Sequence, residues 1–241
     1  MATSIFIFAA ITFISTLIGG LIIFRFRKGL PYFFAFSAGS LMAVAFLDIL
    51  PESLEIAQHV SLPFRSVMLT IVISFFVYSF LDKIFLTHDM KECGGHHSHI
   101  SGPLGAGSLI LHSFFDGAAI GAAFQVNYST GFIVALAVIF HDFTDGINTV
   151  TLMLKNKQKP RKAFLFLLMD ALAPALGIIL FSFITFSPKA LALLLAVFVG
   201  EFIYIGATSL LPETHKYPSF RIVTAMALGI ILIAVLTSVI S

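Results

Sequence analysis

Charge is scarce in this chain. Only 11% of its 241 residues are Asp, Glu, Lys or Arg, while 59% are hydrophobic; a soluble domain carries roughly twice that charged fraction. Cysteine is almost missing too. Cys93 stands alone, which excludes a disulfide framework and a cysteine-based zinc motif. Strict apolar–polar alternation is also absent, which argues against a spanning β-barrel. What the chain does have is one apolar run of helix-spanning length after another. No basic segment precedes the first run, and Arg25, Arg27 and Lys28 follow it instead, so it is expected to be a span and not a removable signal. The expected fold class is an all-α polytopic membrane protein, a single transmembrane domain over residues 1–241.

Eight spans are expected, at roughly 4–24, 31–50, 65–86, 104–125, 131–154, 162–184, 189–212 and 219–240. The connection after the third span, 86–103, is polar and contains His96, His97 and His99, with His88 close by. Orientation follows from the basic residues. With Arg25, Arg27 and Lys28 cytoplasmic, twelve of the fourteen Lys and Arg residues fall in inside connections, and only Arg65 and Lys189 fall outside. Both termini are then external and loop 86–103 cytoplasmic. The chain also repeats itself. GSLMAVAFLDILPES in the second span and GEFIYIGATSLLPET in the seventh both place Pro-Glu at the same distance from a glycine, Gly39 to Pro51-Glu52 and Gly200 to Pro212-Glu213. By the charge assignment the two copies run in opposite directions, the pattern of transporters with inverted repeats. The plainer reading is that Leu-Pro-Glu is a helix-boundary signal.

A second repeat carries the chemistry. HSFFDG at 112–117 and HDFTDG at 141–146 lie in the middle of the fourth and fifth spans. Residues four apart share a helix face, so His112 pairs with Asp116 and His141 with Asp145. Six carboxylates fall inside apolar spans: Asp48, Asp116, Asp142, Asp145, Asp170 and Glu201. No Lys or Arg lies between span ends to neutralise them. A buried ionised carboxylate is too costly to stand alone, so the missing partner is a proton or a bound cation. Imidazole with carboxylate suits first-row divalent ions. Asp142 projects about 100° around the helix from His141, towards a second metal or the wall of a pathway. Gly117 and Gly121 form a small-residue face for close helix packing.

These residues resemble the ZIP (ZRT/IRT-like, zinc- and iron-regulated) transporter family, in a prokaryotic-type member, over almost the whole chain. The family's pattern His-Asn-x-x-Asp/Glu-Gly is similar to His112, Asp116 and Gly117, with Ser113 in place of Asn. The pattern His-x-x-Pro-Glu-Gly is similar to His141, Asp145 and Gly146. The resemblance implies a 3+2+3 inverted-repeat arrangement of eight helices and a metal centre between the fourth and fifth. His112, Asp116, His141 and Asp145 would be its primary ligands, with Asp142 in a second site. Departures are visible. Phe115 and Thr144 stand where kinking prolines are common, and Asp replaces the longer Glu. Pro174 stands where many members carry a Glu in the sixth helix; either Asp170, one turn earlier, serves instead, or the second metal site is weakened. Asp48 matches a polar position near the outer end of the second helix. Met42 falls where a thioether can be offered, or is a core residue, and Glu201 has no family counterpart.

The expected function is transport of a divalent transition metal (zinc, with iron, manganese, cobalt or cadmium as further candidates) toward the cytoplasm. The mechanism would be alternating access through a midplane site. The metal is substrate, and no prosthetic group is expected. His96, His97 and His99 would receive metal weakly or merely be solvated. The expected partners are the metal ion, the lipid bilayer and a second copy in a homodimer, with no nucleic acid; the expected place is the cell (inner) membrane. No enzyme activity is expected. The rivals are a zinc-dependent intramembrane lipid hydrolase and a proton-coupled carrier of an organic cation.

Overall fold

The computed structural model describes residues 2–23, 30–90, 101–215 and 219–240. Among them every regular element is helical: α1 (Ala2–Ile22), α2 (Leu30–Val44), α3 (Leu50–His59), α4 (Phe64–Met90), α5 (Ser101–Val126), α6 (Tyr128–Lys155), α7 (Pro160–Phe183), α8 (Pro188–Ile205), α9 (Leu211–His215) and α10 (Phe220–Ile240). Eight stretches are long and apolar enough to cross a membrane, as expected from the hydrophobic runs. His96, His97 and His99 lie outside the described residues. The connection there is shorter than expected, because α4 continues to Met90 and α5 begins at Ser101. Pro103, in the first turn of α5, is tolerated because the first-turn N–H groups have no intrahelical acceptor.

The second and seventh spans differ from expectation in an informative way. The Leu-Pro-Glu segments do not end their helices. Helix continues through Pro51 into α3 and through Pro212 into α9, and each is entered from a short π-helical segment, Ala45–Ile49 or Gly206–Leu210. A proline inside an α-helix clashes with the carbonyl four residues back and removes a donor. The π turn resets the register just before the ring: the Leu50 N–H bonds to the Ala45 carbonyl and the Leu211 N–H to that of Gly206, one residue further back than in an α-helix. The two breaks fall at matching places in the two repeats.

Packing sorts the helices into two groups. α1, α5, α6 and α7 pack on one another, while α2 packs on α10 and α8 packs on α3 and α4. The groups meet where α6 touches α2 and where α5 touches α4 and α8. The polarity is inside-out relative to a water-soluble fold. Phe76 and Phe80 on α4, Leu176 and Phe183 on α7, and Val235 and Val239 on α10 are exposed, whereas Asp116, Asp142, Asp170 and Glu201 are fully buried. An apolar exterior of this kind suits hydrocarbon.

Glycine lets the first group close. A Cβ on Gly117 would run into the carbonyl oxygen of Pro174 on α7, and one on Gly146 into that of Thr16 on α1. The final residue of each hexapeptide thus seats a neighbouring helix directly behind its aspartate. The expected small-residue face of Gly117 and Gly121 is real, and its partner is α7: Gly121 approaches the Ile178 carbonyl. Both obstacles are backbone, so no rotamer change relieves them. Gly146→Ala should cost about 1–3 kcal/mol by overpacking, read as a lower melting temperature in detergent. Gly107→Ala, where a Cβ would meet nothing within 4 Å, should leave it unchanged. A Gly146→Ala protein as stable as the wild type would contradict this packing.

Candidate metal centre

His112 and His141 fall at the middles of α5 and α6, which pack against each other in the first group. α6 is fixed just before His141 by two hydroxyls from neighbouring helices. Ser15 on α1 donates to the Ile139 carbonyl at 2.6 Å and Ser37 on α2 to the Phe140 carbonyl at 2.8 Å. Thr144 donates to the His141 carbonyl at 2.7 Å. The two imidazole–carboxylate faces turn toward each other, and four ligating atoms, one from each side chain, lie within 4.8 Å of one another.

Their spacing is that of a coordination shell. His112 Nε2 is 3.0 Å from Asp116 Oδ2 and His141 Nε2 is 2.9 Å from Asp145 Oδ2. The imidazole nitrogens are 3.1 Å apart, and the two cross contacts measure 3.9 and 3.8 Å. A tetrahedral zinc ion with nitrogen and oxygen ligands needs ligand–ligand separations of about 3.3 Å. Asp116 Oδ2 and Asp145 Oδ2, though close to the imidazoles, accept no hydrogen bond. No Lys or Arg is among the buried residues described. Buried polar atoms ordinarily find partners, so the unpartnered Asp116 and Asp145 oxygens beside two imidazoles fit a divalent cation.

Three further acids surround the four. Asp142 is fully buried, neither of its oxygens has a hydrogen-bond partner, and its charged neighbours include Asp116, Asp145 and Asp170. Asp170 is satisfied instead: Ser113 donates to Oδ1 and Thr149 to Oδ2, each at 2.7 Å. Ser113, which stands in place of Asn, therefore reaches the centre's surroundings through Asp170. Glu201 on α8 places Oε1 3.1 Å from His112 Nδ1, and the Tyr78 hydroxyl comes within hydrogen-bonding reach of the same carboxylate. Sequence reasoning missed Tyr78 and Thr149. Thr149 was legible as the residue one turn after Asp145; nothing local marks Tyr78.

Other candidates lie apart. The Met42 side chain packs beside Gly206 in the second π segment. Asp48 sits in the first π segment, buried, with Glu52 as its charged neighbour and Oδ2 unpartnered. Neither belongs to the four-atom cluster. A cavity of about 100 Å³ reaches the centre, lined by His112, His141 and Asp145 and by Ser108, Asn148 and Leu210. Those last three lie toward the helix ends that lead to residues 91–100, 156–159 and 216–218. Of the four ligating side chains, His112 is the most accessible at 13%, against 0–3% for the others, so the cavity meets the centre at His112.

Comparison with known proteins agrees with this geometry. Residues 106–237 match the family described as ZIP Zinc transporter. Human "Zinc transporter ZIP4" is 32% identical over 106 residues, covering 44% of this chain and 16% of the human protein. "Zinc transporter foi" of Drosophila melanogaster is 32% identical over 109 residues, 44% of this chain and 15% of the fly protein. "Zinc transporter zipt-7.2" of Caenorhabditis elegans is 30% identical over 115 residues, 45% and 25% respectively. The match thus spans a quarter or less of these relatives' length. All three are animal proteins, so the expectation of a specifically prokaryotic type is not borne out. The family match covers more than half of the sequence, including both hexapeptides: the chain belongs to the ZIP zinc transporter family.

Proposed function

We propose that this protein carries a divalent transition-metal ion across the membrane, with zinc as the leading candidate. The observation that carries the reading is the convergence of four ligating atoms within 4.8 Å, two of them carboxylate oxygens without a hydrogen-bond partner, midway along two spanning helices, with no buried Lys or Arg among the described residues. His112, Asp116, His141 and Asp145 hold the ion. Two carboxylates balance its two charges, so the loaded centre is neutral and tolerable in a low-dielectric interior. Asp142 offers two further free oxygens, and Asp170 stands behind them, which supports a second, more weakly held ion. Iron, manganese, cobalt and cadmium share this ligand chemistry, and choice among them reflects availability as much as geometry.

Transport runs toward the cytoplasm by alternating access. Charge sorting puts the ends near 91–100, 156–159 and 216–218 inside, and the cavity at the centre reaches toward those ends, which supports an inward-facing state. Ions enter past Glu52, Glu55 and Asp48 and leave near Glu213 and His215, while the α1–α5–α6–α7 group shifts against the other. The protein works as a homodimer in the cell membrane. A hydrolytic zinc keeps three protein ligands and an open position for water; four converging side chains favour carriage over hydrolysis.

His112→Ala and Asp145→Ala should each abolish uptake of radiolabelled zinc into proteoliposomes while leaving the protein folded; wild-type uptake by either variant would defeat the assignment. Thermal melts offer a second check. Zinc at a hundredfold its dissociation constant should stabilise the wild type by about 2.7 kcal/mol. Asp116→Asn removes one uncompensated buried charge, so the chelator-treated variant should melt no lower than the wild type and should gain nothing from zinc. A variant that zinc still stabilises fully would exclude Asp116 as a ligand.

A further inference from the structure

One buried acid at the centre is not among its four ligands. Glu201 is fully buried on α8, with Oε1 3.1 Å from His112 Nδ1. An imidazole has two different nitrogens, and here they face two different partners: Nε2 faces the four-atom centre and Nδ1 faces Glu201. An ionised carboxylate can only accept. Against an ionised Glu201 the Nδ1 atom carries the hydrogen, which leaves the Nε2 lone pair free for a metal and fixes the plane of the ring. His141 has no such support, since its buried Nδ1 is without a hydrogen-bond partner. The two imidazoles of the repeated hexapeptide are therefore not equivalent.

The origin of the contact matters as much as its chemistry. Every ligating side chain is on α5 or α6, in the first helix group. Glu201 and the Tyr78 hydroxyl that reaches it come from α8 and α4, which pack on each other in the second group. The contact crosses the seam, and a relative displacement of about 1 Å would stretch it beyond hydrogen-bond range.

Building on the metal-carrying reading above, we propose that Glu201, steadied by Tyr78, is a positioning residue for the centre. It holds His112 in its metal-binding tautomer only when the two helix groups are in the register seen here. By linkage, the bound ion favours that register as much as the register favours the ion. Separation of the groups weakens the centre from outside, without moving any of the four ligands relative to one another.

The test is zinc titration by calorimetry of the purified full-length protein in lipid nanodiscs, alongside melting temperatures of the metal-free samples. Glu201→Gln keeps the shape and an acceptor oxygen but loses the charge. It should raise the zinc dissociation constant by about 10- to 100-fold, with the number of ions bound and the metal-free melting temperature unchanged. Tyr78→Phe should shift the constant in the same direction by less. The cadmium-113 resonance of the cadmium-loaded protein should move in Glu201→Gln, because the ligand His112 is no longer held. A lower metal-free melting temperature with an unchanged dissociation constant would reduce Glu201 to a packing role and overturn the proposal. If Glu201→Gln does not fold, Tyr78→Phe is judged by the same criterion. His112→Ala separates the two levels. Wild-type zinc affinity in that variant would sink the metal reading itself, whereas lost affinity there beside unchanged affinity in Glu201→Gln would sink only the role of Glu201.

Discussion

Negative charge without a protein countercharge is the constraint on which this structure turns. Asp116, Asp142 and Asp145 are buried in the middle of an apolar helical body, and among the described residues no Lys or Arg is buried with them. Each would be intolerable as an isolated ion. They persist because two imidazoles share their depth and because the set encloses a space that a divalent cation fits. A soluble enzyme can let water into such a site. Here the aspartates are buried among helices, and a cavity of about 100 Å³ reaches His112.

The architecture serves that constraint at close quarters. Gly117 and Gly146 allow α7 and α1 to pack flush behind the two aspartates, so the centre is walled by backbone and not by mobile side chains. Asp170 is held by the Ser113 and Thr149 hydroxyls and adds charge without adding freedom. The second helix group contributes differently. Its π segments before Pro51 and Pro212 are irregular turns of the kind often found at functional sites, and it reaches the centre through the Glu201 carboxylate at His112 and through Ser37, which bonds the Phe140 carbonyl beside His141. Rigidity on one side and adjustable contact on the other is what the proposed carriage of an ion requires, since the site would have to stay intact while its surroundings change.

Much of this was legible in the sequence, and the reasons are local. Eight spans follow from hydrophobic run length, because a helix in hydrocarbon must satisfy its own backbone. The ligand pairs follow from four-residue spacing, which one helix face fixes without knowledge of the fold. Tertiary contacts leave no such local mark. Leu-Pro-Glu reads as a stop signal, and only the π turn before each proline explains why the helix goes on. Glu201 carried no assignable role, because its partner His112 is 89 residues away in the chain. Tyr78 was invisible for the same reason. Met42 and Asp48, singled out by resemblance, lie beside and within the π segments respectively and outside the four-atom cluster.

The central claim is that four side-chain atoms enclose one cation. Anomalous diffraction at the zinc absorption edge, from crystals grown with zinc, tests it most directly. The account predicts a strong anomalous peak bonded to His112 Nε2, Asp116 Oδ2, His141 Nε2 and Asp145 Oδ2, at about 2.0–2.2 Å from each. Zinc peaks elsewhere, with these four atoms bonded only to one another or to water, would contradict it.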